Sequence, residues 1–279
     1  MKKIKLKYIS VGMLLPFLVV AFYNGLVIRK YAIKTDKLKT NQSVRIVLIS
    51  DLHSHIYGKD QSKIASKIKK QKPDIIALAG DIADDWEPIE GTRLFLEAIK
   101  DIAPVYYVTG NHEFRAKDIE NIKNTFRDCD IEILENSYKT IVVNGVEITI
   151  GGVADPDIMV YETPKLDWHK EVLSSFLELE NKSNYKILLS HRPEEVEFYK
   201  KLPFDMVLSG HAHGGQVRIP FLLNGLLSPN QGWFPKYAGG IYIHKEYTHV
   251  VSRGVSFHLK RPRIFNPPEI VVIDVDGIG

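Results

Sequence analysis

The residues able to do chemistry recur in short blocks: Asp51-x-His53, Gly80-Asp81, Gly110-Asn111-His112-Glu113, His191 and Gly210-His211-x-His213. With His112 and Glu113 set aside, they supply four imidazoles, two carboxylates and one carboxamide. Each piece alone is weak, since a DxH pair occurs by chance and a lone histidine is more often structural. Taken together, hard oxygen donors mixed with imidazole and free of thiolate suit Mn²⁺, Fe, Zn²⁺ or related ions. Seven ligands, one of them bridging, are what two adjacent metals need while positions stay open for water and substrate. The single cysteine, Cys129, excludes a disulfide framework and a multi-thiolate zinc site.

Each block follows a short apolar, β-branched run that ends in a small residue. The runs are Arg45-IVLIS-Asp51, Asp74-IIALAG-Asp81, Val105-YYVTG-Asn111, Tyr185-KILLS-His191 and Asp205-MVLSG-His211. Asp51, Asp81 and Asn111 are spaced 30 apart, about one βα unit. The intervening stretches 62–70, 90–101 and 117–127 carry apolar residues at helical spacing, and 166–180 is also helix-like. Buried strands alternating with helices predict an α/β fold with the blocks at the carboxyl ends of the strands, where such sheets bind ligands. A hairpin is expected around Asn144-Gly145. Short strands at 216–219, 240–244, 249–252 and 269–274 follow. One domain is predicted over 44–279.

Ahead of that domain, residues 1–8 form a basic tail, and 9–28 is a run of 20 uncharged residues. At 1.5 Å per residue such a run makes about 30 Å of helix, the thickness of a hydrocarbon core. It is expected as an uncleaved single-pass membrane anchor, with 29–43 as a polar stem. Bases flank it on both sides, so the positive-inside rule leaves the side of the domain open, with the extracytoplasmic side slightly favoured. Nine of the 37 Lys/Arg lie in residues 1–40 against one acid. The remaining chain holds 28 bases against 33 acids and is therefore acidic. A phosphate backbone demands clustered Lys/Arg, so no nucleic-acid partner is expected.

The five blocks, in order and in full, resemble the motif set of the calcineurin-like metallophosphoesterases. The resemblance covers nearly all of 44–279. It extends to SGHAHGGQVRIP, SPNQGWFPKYAGG, VSRG and the terminal NPPEIVVI, which are similar to the membrane-associated bacterial phosphodiesterases of the YaeI/YkuE-like group. Ala212 departs from the threonine common there, at a position that is not a ligand. The resemblance implies an α/β sandwich of two mixed sheets flanked by helices, here preceded by a transmembrane helix. It implies a metal-dependent hydrolase acting on phosphoric ester bonds, and two divalent metal ions (Mn, Fe or Zn) as cofactors. Asp51, His53 and His213 would bind the first metal, and Asn111, His191 and His211 the second, with Asp81 bridging. A carboxylate has two oxygens and enough charge to hold two cations about 3.5–4 Å apart. A bridging hydroxide would attack phosphorus in line, while His112 stabilises the developing charge or protonates the leaving oxygen.

The substrate is then a phosphodiester or pyrophosphate-type ester, with a lipid-linked or cell-envelope ester favoured by the anchor, and the protein a monomer. A phosphomonoesterase and a non-catalytic metal-binding scaffold are the alternatives. Outside the motif set, His55 reads as a rim residue and Glu113 as an orienting or capping group, while Arg192 reads as half of an ion pair, with a phosphate contact as the alternative. His169, His244, His249 and His258 read as structural, and Cys129 as a small apolar residue. The segment 221–236 interleaves Leu, Phe and Trp233 with Gly and Pro. It either packs on the core, forms an apolar wall for a lipid-like substrate or touches the bilayer.

Overall fold

The computed structural model describes residues 16–258 and 261–279. Its first half runs β1 (Val27–Thr35), β2 (Ser43–Ile49), α1 (Ser62–Lys69), β3 (Ile75–Ala79), α2 (Glu90–Ile99), β4 (Val105–Val108), α3 (Asn111–Arg115), α4 (Ile119–Arg127) and β5 (Glu132–Ile133). A hairpin, β6 (Ser137–Val143) and β7 (Val146–Gly152), leads through α5 (Ile158–Tyr161) and α6 (Trp168–Ser175) to β8 (Tyr185–Leu189), α7 (Val196–Tyr199) and β9 (Met206–Ser209). The small ribbon β10 (Leu227–Ser228) and β11 (Gly232–Trp233) precedes β12 (Gly240–Ile243), β13 (Thr248–Val251) and β14 (Glu269–Gly277).

These strands form two mixed six-stranded sheets, ordered β1-β14-β2-β3-β4-β5 and β12-β13-β9-β8-β7-β6. Strand periodicity explains the sandwich. Ile46, Leu48, Ile75 and Ala77 meet Ile187, Leu189, Met206 and Leu208 in the core between the sheets. The alternate residues Val47, Ile49, Ile76 and Leu78 point the other way, under Ile64, Ile68, Phe95 and Phe126 of the covering helices. Leu188 and Val207 do the same beneath Trp168, Val172 and Phe198 on the second sheet. Both central strand sets are thus covered on two faces, which is why their sequences read as unbroken apolar runs.

The amino-terminal expectation needs correction. Val27 and Ile28, the end of the predicted membrane span 9–28, belong to β1, and among the described residues the helix before it ends at residue 21. Among the described residues no helix is long and apolar enough to cross a membrane; residues 9–15 of that span lie outside them. Arg29 to Thr35, expected as polar stem, pair in parallel with β14 over the whole of β1. The physical reason is the period. In this stretch Tyr31 and Ile33 pack on the inter-sheet core and Ile28 on the other face, an alternation of two that a count of apolar residues hides. Pairing also covers a nine-residue edge that β14 would otherwise expose. The strand expected at 216–219 is reduced to isolated bridges, Val217 with Ile264 and Ile219 with Leu223.

Candidate metal centre

Asp51, Asp81 and Asn111 follow β2, β3 and β4 of one sheet, and His191 and His211 follow β8 and β9 of the other. Because both sheets present these carboxyl ends to the same place, residues 160 apart in sequence touch: the His211 N–H donates to Asp51 Oδ1 at 3.0 Å. Ligand-capable atoms of Asp51, His53 and His213 lie within 4.8 Å of one another, as do those of Asp81, His191 and His211. His53, Asp81 and His112 form a third such group, and the Asn111 carboxamide lies 2.9 Å from His211 Nδ1. All eight residues singled out by the motifs are therefore gathered in one place. All but His112 and His213 are fully buried.

The backbone there is strained. Asp51, His53, Asp81, His211 and His213 have φ between 47° and 66°, the left-handed region that costs non-glycine residues on the order of 1–3 kcal/mol each. Such strain persists only where surroundings over-determine it, and two glycines show how closely they do. A Cβ on Gly110 would stand 2.2 Å from Asp81 Oδ1, and one on Gly210 2.6 Å from Asp51 Oδ2. Glu113 supplies the main restraint. Its carboxylate accepts the N–H groups of Asp81, Ile82, Ala83 and Gly110 at 2.7–3.1 Å, clamping the β3 loop to the start of α3. The expected orienting role is what this side chain performs, and burial pushes its carboxyl up to about 7.

Tautomers decide what the imidazoles can offer. His191 Nδ1 faces the Ala79 carbonyl at 2.8 Å, so it must donate. Its Nε2 then points a lone pair at Asp81 Oδ2, 3.0 Å away, and at His211 Nδ1, 3.1 Å away. His211 Nε2 donates to Asn230 Oδ1 at 2.9 Å, which leaves Nδ1 as the free nitrogen. His53 Nδ1 donates to Asp84 Oδ1 at 2.9 Å, and its Nε2 faces Asp81 Oδ2 at 3.9 Å. Three imidazoles held by their far nitrogens thus turn lone pairs toward one carboxylate. Acceptors facing acceptors in a buried space require positive charge between them, either protons or metal. Without metal, protons take that place: burial opposes a charged His191, yet the adjacent Asp81 prevails and holds it up to about 10. The donor set of imidazole, carboxylate and carboxamide fits divalent cations of the Mn, Fe and Zn group.

Around this centre stand residues that belong to none of the motif blocks. Asp84 and Asp85 hold His112 Nδ1 at 2.9 and 2.5 Å. Against the cost of burial, Asp81 and these two carboxylates raise His112 to about 9. Asp155 is buried and receives Arg192 in a two-pronged pair at 2.6 and 2.7 Å, confirming Arg192 as half of an ion pair. Arg192 Nη1 also approaches His211 Nε2 at 3.2 Å through their shared acceptor Asn230. Asp155 had a signal: three residues past β7, it follows a sixth apolar run that closes in small residues. Asp84-Asp85 had a weaker one, as acids just past Asp81; Asn230 had none. His258 is not a remote structural residue. It joins His55, Glu87 and Glu90 around a pocket of about 290 Å³ beside His53. His249 is buried against Ser209 Oγ, 3.0 Å away, a structural placement. Phe221, Leu222, Trp233 and Phe234 are exposed rather than packed on the core.

Two sheets converging their carboxyl ends on histidines and carboxylates define a class of metal-dependent phosphoester hydrolases, and comparison with known proteins gives the family. Residues 44–215 match the calcineurin-like phosphoesterase model, and the chain belongs to that family. It is 29% identical over 284 residues to an uncharacterized metallophosphoesterase of Campylobacter jejuni, covering 96% of this chain and 69% of that one. It is 26% identical to the uncharacterized metallophosphoesterase YkoQ of Bacillus subtilis, covering 94% of this chain and 96% of the other. Two further curated relatives are longer, and the chain spans 52% and 65% of their lengths. The NAD nucleotidase of Haemophilus influenzae shares the fold with a TM-score of 0.53 at 18% identity, over 76% of this chain and 45% of that one. The protein is accordingly a metal-dependent phosphoester hydrolase.

Proposed function

We propose that Asp51, His53 and His213 hold one divalent cation and that Asn111, His191 and His211 hold a second, with Asp81 between them. The observation that carries this reading is the convergence of three fixed imidazole lone pairs on Asp81. Bound there, the cations supply a water-derived nucleophile at neutral pH and charge for the phosphoryl oxygens. The chain's own residues do the rest. His112, tied by its N–H to Asp81 Oδ1 at 2.9 Å, has a ring nitrogen within 4.8 Å of the His53 and Asp81 ligand atoms. With Asp84 and Asp85 behind it, the ring keeps a proton to give to the leaving oxygen.

The substrate is a phosphodiester or pyrophosphate-type ester, and a lipid or cell-envelope ester is favoured. Support comes from the exposed Trp233 and Phe234 on the segment whose Asn230 touches His211. The same reading keeps the protein at a membrane surface, supported by the exposed Phe17, Val19, Val20 and Phe22 beside β1. The test is to strip metal from the purified chain, restore Mn²⁺, Zn²⁺, Fe²⁺ or Mg²⁺ singly, and follow bound metal and hydrolysis of a diester and a monoester. Two ions per chain with diester turnover is the expected result; one ion at full activity would overturn the two-metal reading. Serine at Trp233 and Phe234 should lower turnover of an amphiphilic ester more than of a small soluble one, and equal losses would remove the lipid preference.

A further inference from the structure

A second concavity, of about 880 Å³, lies between β1, the turn at 218–224 and the backbone around Gly239, and none of the eight candidate site residues lines it. It contains three guanidiniums. Arg253 is buried and pairs with Glu269 at 2.7 Å, and Arg29 reaches the same carboxylate at 3.7 Å. Arg218 is half-buried and donates to Asn224 Oδ1 at 2.6 Å. Among the described residues, no carboxylate pairs with it. Arg253 and Arg218 flank one glycine: a Cβ on Gly239 would lie 2.4 Å from Arg253 Cγ and 3.6 Å from Arg218 Nη1. Burial and the neighbouring Arg253 push the Arg218 guanidinium below its ordinary value. One carboxylate against three guanidiniums leaves an excess of positive charge that an incoming anion would relieve.

The walls are of the opposite character. Ile28, Phe221, Leu222 and Phe265 line the groove, with Phe221 and Leu222 standing in solvent. Free phosphate would meet the arginines and leave this apolar wall wet. An alkyl chain attached to the anion covers it, and covering apolar surface is favourable in proportion to its area. We propose that the groove binds a phosphate-headed amphiphile, its head on Arg218 and Arg253 and its chain along Ile28, Phe221, Leu222 and Phe265.

Calorimetric titration of the full, metal-loaded chain with dodecylphosphonate below its micelle concentration tests this. Arg218→Gln should weaken binding about tenfold, the worth of one charge-assisted contact, and serine at both Phe221 and Leu222 should weaken it similarly. Inorganic phosphate should not displace the probe, and dodecyl maltoside, which has the chain without the charge, should bind far more weakly. Hydrolysis of a small soluble diester should stay within about twofold in both variants, and their melting temperatures should match the parent's. Unchanged affinity in both folded variants overturns the proposal. Displacement by inorganic phosphate overturns it in favour of a free-anion site, and equal binding of the maltoside in favour of a plain apolar cleft. Loss of diester hydrolysis together with probe binding would make the groove part of the catalytic site and overturn its independence. The catalytic reading stands or falls separately, on metal content.

Discussion

The two halves of the candidate centre use the same strand-end device but are backed differently. On the side of the first sheet, the far nitrogens of His53 and His112 face carboxylates, Asp84 at 2.9 Å and Asp85 at 2.5 Å. On the side of the second, those of His191 and His211 face neutral oxygens, Ala79 O at 2.8 Å and Asn230 Oδ1 at 2.9 Å. A carboxylate behind an imidazole fixes its tautomer and makes the ring markedly more basic; a neutral carbonyl fixes the tautomer and adds less basicity. Arg192, 3.2 Å from the His211 ring, adds positive charge to the second half. Burial together with His191 and Arg192 holds His211 well below the ordinary imidazole range, whereas His112 stands at about 9. His191 departs from this pattern because it sits 3.0 Å from Asp81, the group that belongs to both halves. The first half is suited to keeping a proton beside the reaction, and the second to holding a cation that stays electrophilic.

Removing what the halves share gives the largest effect. Asp81→Ala should strip metal and activity together, by at least about a thousandfold, because a metal's several kcal/mol of charge stabilisation is worth a decade per 1.4 kcal/mol. Metal analysis beside turnover checks it, and full activity in that variant would break the account. His112→Ala touches the first half alone. It should retain metal while losing about a hundredfold or more in kcat, most on poor leaving groups, as loss of a general acid does. A plot of rate against leaving-group pKa, steeper in the variant than in the parent, is the expected signature.

How far the sequence reached follows the same division. The strand-end residues were legible because a buried run must end in a small residue and release its side chain into the crevice, a pattern written in consecutive letters. Asp84 and Asp85 lie in a loop with no period, and their partnership with His53 and His112 exists only once β3 and α3 are side by side. Asn230 reaches His211 from a segment whose composition speaks of apolar surface rather than hydrogen bonding. β1 reads as anchor and stem because its alternation, confined to Tyr31–Thr35, is fused to an apolar run, and its partner β14 is the last strand in the chain. Long-range pairing, unlike local period, leaves no mark in a single segment.

The smallest effects probe the difference in backing itself. Asp84→Asn keeps the shape and a hydrogen bond to His53 but removes the charge; loss of such an orienting carboxylate costs about 10–100-fold in metal affinity or activity. Asn230→Ala removes a neutral acceptor from His211, and Arg192 still holds its pair with Asp155, so the second half keeps its charge balance. Its cost should be the lesser one, about tenfold or below, near the net worth of one neutral hydrogen bond. Titrating metal into both variants in parallel, with loss of the tighter-bound and weaker-bound ion scored separately, compares the halves directly. If Asn230→Ala weakens metal binding as much as Asp84→Asn, the tautomer alone matters at both rings. The charge placed behind His53 and His112 would then have no part in how the centre is divided.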